Sequence, residues 1–513
     1  MAGLHHRSQF QDSVLTVHCR STFGRAGAVQ NVGRLFTTAI LAMALLTACS
    51  AVPDTPAGPA VDQVEYRVGG LPVVEGPSGL RDDARPPRRG AQYSDGGPVD
   101  ALVLAAVDDV EMFWQQAYPE TFGAAFEPVD ELVSYDSLDP SSPEVCGNET
   151  YDMPNAMWCS PLFSDEDFIA WDRGFLVPTG RQYFGDTSVA ALIAHEYGHA
   201  VQHNADIVDW LTETIVKEQQ ADCFAGAYSR WVAEGHSPRF TLSTGEGLNK
   251  VLAGAISLAD PVWSEHEADM VEEGHGTALD RTRAFQQGFV DGTASCAGID
   301  LASIEQQRGD LPILLQQGSS GEIQTGELPL DKSTLSTLME LLDQIYAPRS
   351  PPGLSFDGHS CPGGAASPPA SYCPSTNTVV VDLPGLQAMS MPAGTSDYSL
   401  PQGDNSGLSI VTSRYALSLQ HARGEPLDEP STALLTACLT GVGQAAMAEP
   451  IELPSGNSLQ LAAGDMDEAV GGLLTNGLAA GTVEGLTVPA GFTRIEAFRA
   501  GLGGSEQACH QQY

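Results

Sequence analysis

The chain has 513 residues and a formal net charge of −41 at pH 7, because Asp and Glu (65) far outnumber Lys and Arg (24). This charge repels nucleic acid and anionic membrane surfaces, so neither is expected as a partner. Hydrophobic residues make up 42% of the sequence. A globular chain of this length and composition can build more than one hydrophobic core.

Residues 1–48 have the form of a signal peptide for export. Arg34 precedes an apolar run, residues 35–46, which is too short to cross a bilayer as a mature helix. The run ends in Leu46-Thr-Ala-Cys49, and the small residues before the cysteine resemble a bacterial lipobox. This implies cleavage before Cys49, a lipid on its thiol, and anchoring at the extracytoplasmic face of the cell membrane. The alternative is an ordinary signal peptide that is cleaved nearby.

The rest of the chain is mainly helical in its hydrophobic pattern. Residues 49–98, rich in Pro, Gly and Ala, are predicted to form a flexible tether. Helical spacing of apolar residues then predicts helices at about 101–117, 187–203, 211–234, 278–290 and 332–347. Strand-like runs are few, and Thr378–Leu383 is one of them. The predicted fold class is therefore mainly α, of the α+β kind, with a small β element near the entry to the site.

The strongest motif is His195-Glu196-Tyr-Gly-His199. Histidines four residues apart lie on one face of a helix, about one turn from each other, and can bind one metal ion. Glu196 then lies beside the metal, within reach of a water. Alone, such a motif also arises by chance on ordinary helix faces.

A second pattern, Glu218-Gln-Gln-Ala-Asp222, lies on the next predicted helix and makes chance a poor explanation. Glu218 and Asp222 are again four residues apart and share a face. A catalytic zinc takes three protein ligands and keeps one position open, and His195, His199 and Glu218 form such a set. Asp222 is then placed to accept the outer N–H of a ligand histidine and to fix its tautomer.

These motifs, with a later His275-Gly-Thr, Arg281 and Cys296, resemble the neutral zinc metallopeptidase family of bacteria over about residues 100 to 300. The resemblance implies a zincin-like, mainly helical fold that binds one Zn²⁺ through His195, His199 and Glu218. It also implies that Glu196 is the general base. His275 would donate to the developing oxyanion; a capping or buried structural histidine is the alternative for that residue.

Zinc in such a site lowers the pKa of a water and polarises a carbonyl, while Glu196 moves the proton to the leaving amine. The sequence therefore predicts an exported, membrane-tethered zinc peptidase with a peptide or protein substrate. The membrane is contacted through the lipid anchor only. The alternative is a non-catalytic zinc-containing binding or envelope-assembly protein whose cleft is occluded by a second domain.

The second part of the chain repeats the order of features in the first. Residues 193–203 align with 411–421, residues 221–226 with 436–441, residues 284–288 with 497–501, and Trp158-Cys159 with Tyr372-Cys373. We therefore predict a zinc metallopeptidase-like domain at 99–305 and a degenerate copy of it at 320–513, called below the first half and the second half. Coincidence among helices rich in Ala and Gly is the alternative.

In the second half the ligand positions hold Ser413, Leu417 and Ala433, and the base position holds Arg414, so no zinc site is expected there. Of the ten cysteines, Cys19 lies in the signal peptide and Cys49 would carry lipid, which leaves eight. An oxidising compartment favours their pairing, and free thiols fit the export signal poorly. The repeat predicts the pairs Cys146–Cys159, Cys223–Cys296, Cys361–Cys373 and Cys438–Cys509.

Overall fold

The computed structural model describes residues 66–160, 167–264, 267, 274–316, 326–357, 361, 366–393 and 399–513. The predicted signal peptide and Cys49 lie outside these residues. The helices of the first half are α1 (Pro98–Phe122), α2 (Leu176–Phe184), α3 (Asp186–Asn204), α4 (Thr214–Ala233), α5 (Glu246–Ile256), α6 (Ala278–Asp291), α7 (Thr293–Cys296) and α8 (Leu301–Arg308). The strands from residue 66 to the end of the first half are β1 (Arg67–Val68), β2 (Leu71–Pro72), β3 (Gly79–Leu80), β4 (Glu131–Tyr135), β5 (Ala156–Cys159), β6 (Phe168–Asp172) and β7 (Phe240–Thr241).

The second half contains α9 (Lys332–Tyr346), β8 (Gly353–Ser355), β9 (Ala370–Cys373), β10 (Thr378–Val381), α10 (Leu383–Met389), α11 (Asp404–Arg423), α12 (Pro430–Ala446), α13 (Asp465–Thr475), α14 (Gly491–Leu502) and α15 (Glu506–Gln512). The mainly α, α+β prediction is confirmed. Each of the five predicted helices is present within a few residues of its expected ends, and the strand predicted from Thr378 is β10.

Each half has one three-stranded sheet with the same arrangement. In the first half β6 is central, parallel to β4 and antiparallel to β5. In the second half β10 is central, parallel to β8 and antiparallel to β9. In both halves the sheet follows a long helix (α1 or α9), and its antiparallel edge strand lies beside the helix that carries the predicted site (α3) or its counterpart (α11).

In each half a close helix pair is made possible by glycine. A Cβ on Gly226 of α4 would overlap the carbonyl oxygen of Phe285 in α6, and one on Gly288 would overlap the carbonyl of Cys223. The pair α12 and α14 shows the same contacts, where Gly441 meets the carbonyl of Phe498 and Gly501 meets that of Cys438. Backbones this close leave no space for a side chain at the crossing.

The two halves share one core and contact each other reciprocally. In one contact, the Asn249 side chain of α5 accepts from the backbone N–H of Gly491 at the start of α14 (2.8 Å). In the other, the Asp467 side chain of α13 accepts from the backbone N–H of Leu279 in α6 (3.2 Å). In chain order α5 corresponds to α13 and α6 to α14, so each half offers the same two helices to the other, as in an isologous interface.

Among the residues that the structure describes there are four disulfides, and they are the four predicted pairs. Cys146–Cys159 and Cys361–Cys373 close short loops of 13 and 12 residues next to the two sheets. Cys223–Cys296 and Cys438–Cys509 close loops of 73 and 71 residues and join α4 to α7 and α12 to α15. The cysteine pairing predicted from the repeat is therefore confirmed.

The tether predicted over residues 49–98 differs from the structure in its described part. From residue 66 onward the segment is held on the folded unit, because β3 pairs with β7 and Val68 is fully buried. Arg88 and Arg89 form ion pairs with Glu111 of α1. The high Pro and Gly content goes with an irregular path over the surface, and ion pairs hold this segment in place. Among the described residues no helix is both long and apolar enough to cross a membrane.

Candidate metal centre

The side chains of His195, His199 and Glu218 converge on one point between α3 and α4. His195 Nε2 lies 3.1 Å from Glu218 Oε2, and His199 Nε2 lies 3.5 Å from Glu218 Oε1. One donor atom from each of the three residues lies within 4.8 Å of the other two. Their side chains are only 6%, 17% and 13% exposed, respectively.

Close contact between α3 and α4 places Glu218 opposite the two histidines. Gly198, between the histidines on α3, faces Ala221 of α4, and a Cβ on the glycine would lie 2.9 Å from the Cα of Ala221. Gly185 (φ 87°) separates α2 from α3 and lets the chain turn sharply before the site helix begins. The small residue inside the motif is therefore required by the helix crossing.

Each histidine is held through its outer nitrogen. His195 Nδ1 lies 2.8 Å from Asp222 Oδ1, which is the contact that the sequence predicted. The same carboxylate oxygen accepts from the buried guanidinium of Arg281 (2.8 Å). His199 Nδ1 lies 3.1 Å from Gln202 Oε1, and an amide oxygen can only accept. With Nδ1–H donated outward, each Nε2 keeps its lone pair for the centre.

Burial and charge act in opposite directions on these residues. Burial lowers the pKa of His195, but Asp222 and Glu218 outweigh it and raise that pKa to about 10. Burial raises the pKa of Glu218, but His199 and His195 outweigh it and hold that pKa well below its usual range. The carboxylates thus favour a positive charge at this point, which either a proton on His195 or a metal cation would supply.

Glu196 lies beside the convergence point, buried to 6% exposure. Burial raises the pKa of its carboxyl group, and His195 and His199 oppose this only in part. Its Oε2 accepts from the backbone N–H of Trp158 in the edge strand β5 (3.0 Å). One oxygen is thereby fixed by the sheet, so the carboxylate is oriented as a general base must be.

His275 reaches the same centre from the loop before α6. Its Nε2 lies 3.8 Å from Glu218 Oε2 and its Nδ1 lies 3.7 Å from Asp260 Oδ1. The side chain is 45% exposed, so it lies at the solvent opening of the site. This position suits a donor to a bound substrate better than it suits the alternative of a buried structural histidine.

The residues present fit a metal ion, and His195, His199 and Glu218 could hold one. Two imidazole nitrogens and a carboxylate are a donor set suited to zinc and neighbouring transition metals. Glu218 Oε2 is buried, and no donor meets it in hydrogen-bond geometry. A buried carboxylate oxygen without a partner is costly, and a cation at the convergence point would remove this cost.

A cavity of about 300 Å³ lies against His195, Asp222 and Arg281. Its walls come from α2, α3, α4, α5 and α6 and are mostly apolar. They include Leu176, Val177, Leu192, Val251, Leu258 and Phe285. The cavity can accept a large apolar side chain beside His195.

Sequence reasoning missed two groups that hold the site in place, Gln202 and the backbone N–H of Trp158. Gln202 lies three residues after His199 on the same helix, so the spacing could have indicated the contact. The Trp158 contact crosses 38 positions in the chain and carries no local signal. The family resemblance includes Arg281 but does not indicate that Arg281 donates a hydrogen bond to Asp222.

Comparison with known proteins yields no match: no family model, curated protein or solved structure is significantly similar to this chain. The assignment therefore depends on the site's own geometry.

Proposed function

We propose that this protein is a zinc-dependent peptidase with its catalytic centre at His195, His199 and Glu218. The observation that carries the proposal is the convergence of both Nε2 atoms on one carboxylate while both Nδ1 atoms are held by acceptors. A purely structural zinc normally has a fourth protein ligand and needs no base. Here Glu196 lies beside the three ligands with its pKa raised by burial.

When bound, zinc supplies a Lewis acid that polarises a carbonyl and makes water a better nucleophile. Glu196 accepts the proton of the attacking water and delivers it to the leaving amine nitrogen. His275, at the opening, donates a hydrogen bond to the oxygen on which charge develops. Asp222 and Gln202 keep the two imidazoles in orientation throughout.

The cavity next to His195 indicates the substrate preference. Its apolar walls favour a peptide with a large aliphatic or aromatic side chain that reaches beside His195. Acidic residues far outnumber basic residues in the chain. Substrates with excess negative charge should therefore associate slowly.

The test compares wild type and Glu196→Gln for zinc content and for cleavage of a mixed peptide library. The variant should keep one zinc and lose at least about a thousandfold in kcat/KM, since the base is removed while the ligands stay. Glu246→Gln, an exposed carboxylate on α5, is the matched control and should cleave normally. Unchanged cleavage by Glu196→Gln would contradict the proposal.

A non-catalytic zinc-containing binding or assembly protein is the second candidate, favoured by the near-complete burial of Glu196. It predicts that wild type contains zinc and cleaves no peptide in the library. The same measurement therefore separates the two functions.

We also propose that the second half is a degenerate copy of the first that has lost the metal site. Support comes from the matching sheets, glycine crossings, disulfides and reciprocal contacts. At the ligand positions Ser413, Leu417 and Ala433 are fully buried and offer no set of metal donors. The role that fits this half is to complete the shared core behind the catalytic centre.

Localisation at the extracytoplasmic face through a lipid on Cys49 is part of the proposal. The four disulfides support an oxidising compartment. Replacing Cys49 by Ser should move the protein from the membrane fraction to the soluble fraction of cells. A membrane fraction that keeps the variant would contradict the lipid anchor.

A further inference from the structure

A second group of carboxylates lies far from the candidate metal centre in sequence, where α11 and α13 begin. One oxygen from each of Glu327, Asp404 and Glu468 lies within 4.8 Å of the other two. Asp404 and Glu468 are 2% and 7% exposed, whereas Glu327 is exposed, so the cluster opens to solvent on one side. Asp465, 5% exposed, lies close enough to repel Asp404 and Glu468.

This negative charge has no counter-charge among the described residues. Within the described ranges, burial and the neighbouring carboxylates raise the pKa values of Asp404, Asp465 and Glu468, and no Lys, Arg or His is among the causes that oppose them. Backbone N–H groups satisfy some of the oxygens: Asn405 donates to Glu468 (2.8 Å) and Leu328 donates to Asp404 Oδ2. Buried carboxylates without an opposite charge are unstable in the ionised form unless a cation joins them.

One buried oxygen of the cluster has no hydrogen-bond partner. This atom is Asp404 Oδ1, which is fully buried. Asp404 as a whole is only 2% exposed. Capping of the two helices accounts for the other contacts of the cluster but not for this oxygen. A buried acceptor of this kind is rare unless water or an ion completes it.

We propose that Glu327, Asp404 and Glu468, with Asp465 beside them, bind a calcium ion. Calcium is bound by carboxylate oxygens, and each of the three residues offers one to the cluster. Mg²⁺ requires shorter distances and keeps most of its waters, and zinc prefers nitrogen or sulfur donors. The exposed Glu327 leaves room for water ligands and a path for the ion.

The first half contains an internal control for this site. Asp186 begins α3 as Asp404 begins α11, but it forms an ion pair with Arg181 (2.8 Å). The fourth residue of α5 is Asn249, an uncharged side chain, whereas the fourth residue of α13 is Glu468. The acidic cluster therefore belongs to the second half alone, within the part of the chain that the structure describes.

The experiment titrates CaCl₂ into the full chain, loaded beforehand with zinc, by calorimetry and by thermal unfolding. Wild type should bind one Ca²⁺, and its Tm should rise by several degrees at about 1 mM CaCl₂, because the ion binds only the folded state. Asp404→Asn and Glu468→Gln should abolish both responses. Asp186→Asn should respond as wild type does.

If either buried variant fails to fold, Glu327→Gln provides the test at an exposed position and should raise the Kd for Ca²⁺ at least about tenfold. Absence of binding heat and Tm shift in wild type would overturn the proposal, and so would an unchanged response in Glu327→Gln and Glu468→Gln. An equal response to MgCl₂ would overturn the assignment to calcium.

Discussion

Helices α3 and α11 make the same contacts with their surroundings and differ at the site itself. Tyr197 of α3 donates to Glu111 of α1 (2.9 Å), and Tyr415 of α11 donates to Asp343 of α9 (2.7 Å). Further along, His203 contacts the ring of Trp158 on β5. In the same way, His421 contacts the ring of Tyr372 on β9. The contacts that position the helix are therefore independent of any metal.

At the site the same positions hold opposite chemistry. Glu196 accepts from the backbone of β5, whereas Arg414, fully buried, donates to the carbonyl of Ala370 in β9 (2.8 Å). His199 offers a lone pair to the centre, whereas Leu417 is fully buried by apolar contacts. The same arrangement of helices and sheet therefore forms with the donor set of α3 and without it, so the fold does not depend on His195, His199 and Glu218.

The largest difference is expected between His199→Ala and Leu417→Ala. His199→Ala should no longer bind one zinc ion per chain, because only two of the three ligands remain. Leu417→Ala should keep zinc but lower the free energy of unfolding by about 2–5 kcal/mol through the cavity that it leaves. Metal analysis and denaturant unfolding test both variants. Zinc loss in Leu417→Ala, or zinc retention in His199→Ala, would contradict the comparison.

Removing the long-range disulfides should affect both halves about equally. The two bonds close loops of 73 and 71 residues. Each double variant, Cys223→Ser with Cys296→Ser or Cys438→Ser with Cys509→Ser, should lower the free energy of unfolding by about 2–5 kcal/mol. Only the first pair should also weaken zinc binding, because Cys223 is adjacent to Asp222. Chemical denaturation and zinc titration measure the two effects. Equal zinc affinity in both double variants would show that the disulfide does not position Asp222.

The smallest effect is expected for Tyr197→Phe and Tyr415→Phe, at about 1 kcal/mol each for a lost hydrogen bond. Burial raises the pKa of Asp343, and the bond from Tyr415 lowers it. Without that bond the folded state holds the Asp343 proton more tightly, so the stability of Tyr415→Phe should fall more steeply than that of wild type as the pH rises above the usual pKa of an Asp carboxyl group.

The control for this pH dependence is Tyr197→Phe. Glu111 keeps its ion pairs with Arg88 and Arg89 when the hydroxyl is removed, so this variant loses one hydrogen bond on the corresponding helix. Unfolding measured at several pH values distinguishes the two variants. Identical slopes would show that solvent replaces the Tyr415 hydroxyl.

Much of the site was predictable because its ligands lie on two amphipathic helices with regular spacing. Four-residue steps place His195 with His199, and Glu218 with Asp222, on single faces whatever surrounds them. The sequence could not show that Gly198 contacts Ala221 or that Trp158 binds Glu196, because both contacts join separate elements. The segment from residue 66 to 98 was predicted as a tether because composition does not reveal long-range ion pairs.

By itself, the sequence determined the helices, the four cysteine pairs and the motif residues, since periodicity and repeat order are properties of the chain alone. Only the tertiary structure decided that Gln202 binds His199 and that Arg281 binds Asp222. It also decided that an apolar cavity adjoins His195 and that three acidic residues from separate segments meet where α11 and α13 begin. The physical reason is that side chains distant in sequence acquire their charge environment and their partners only when the helices pack together.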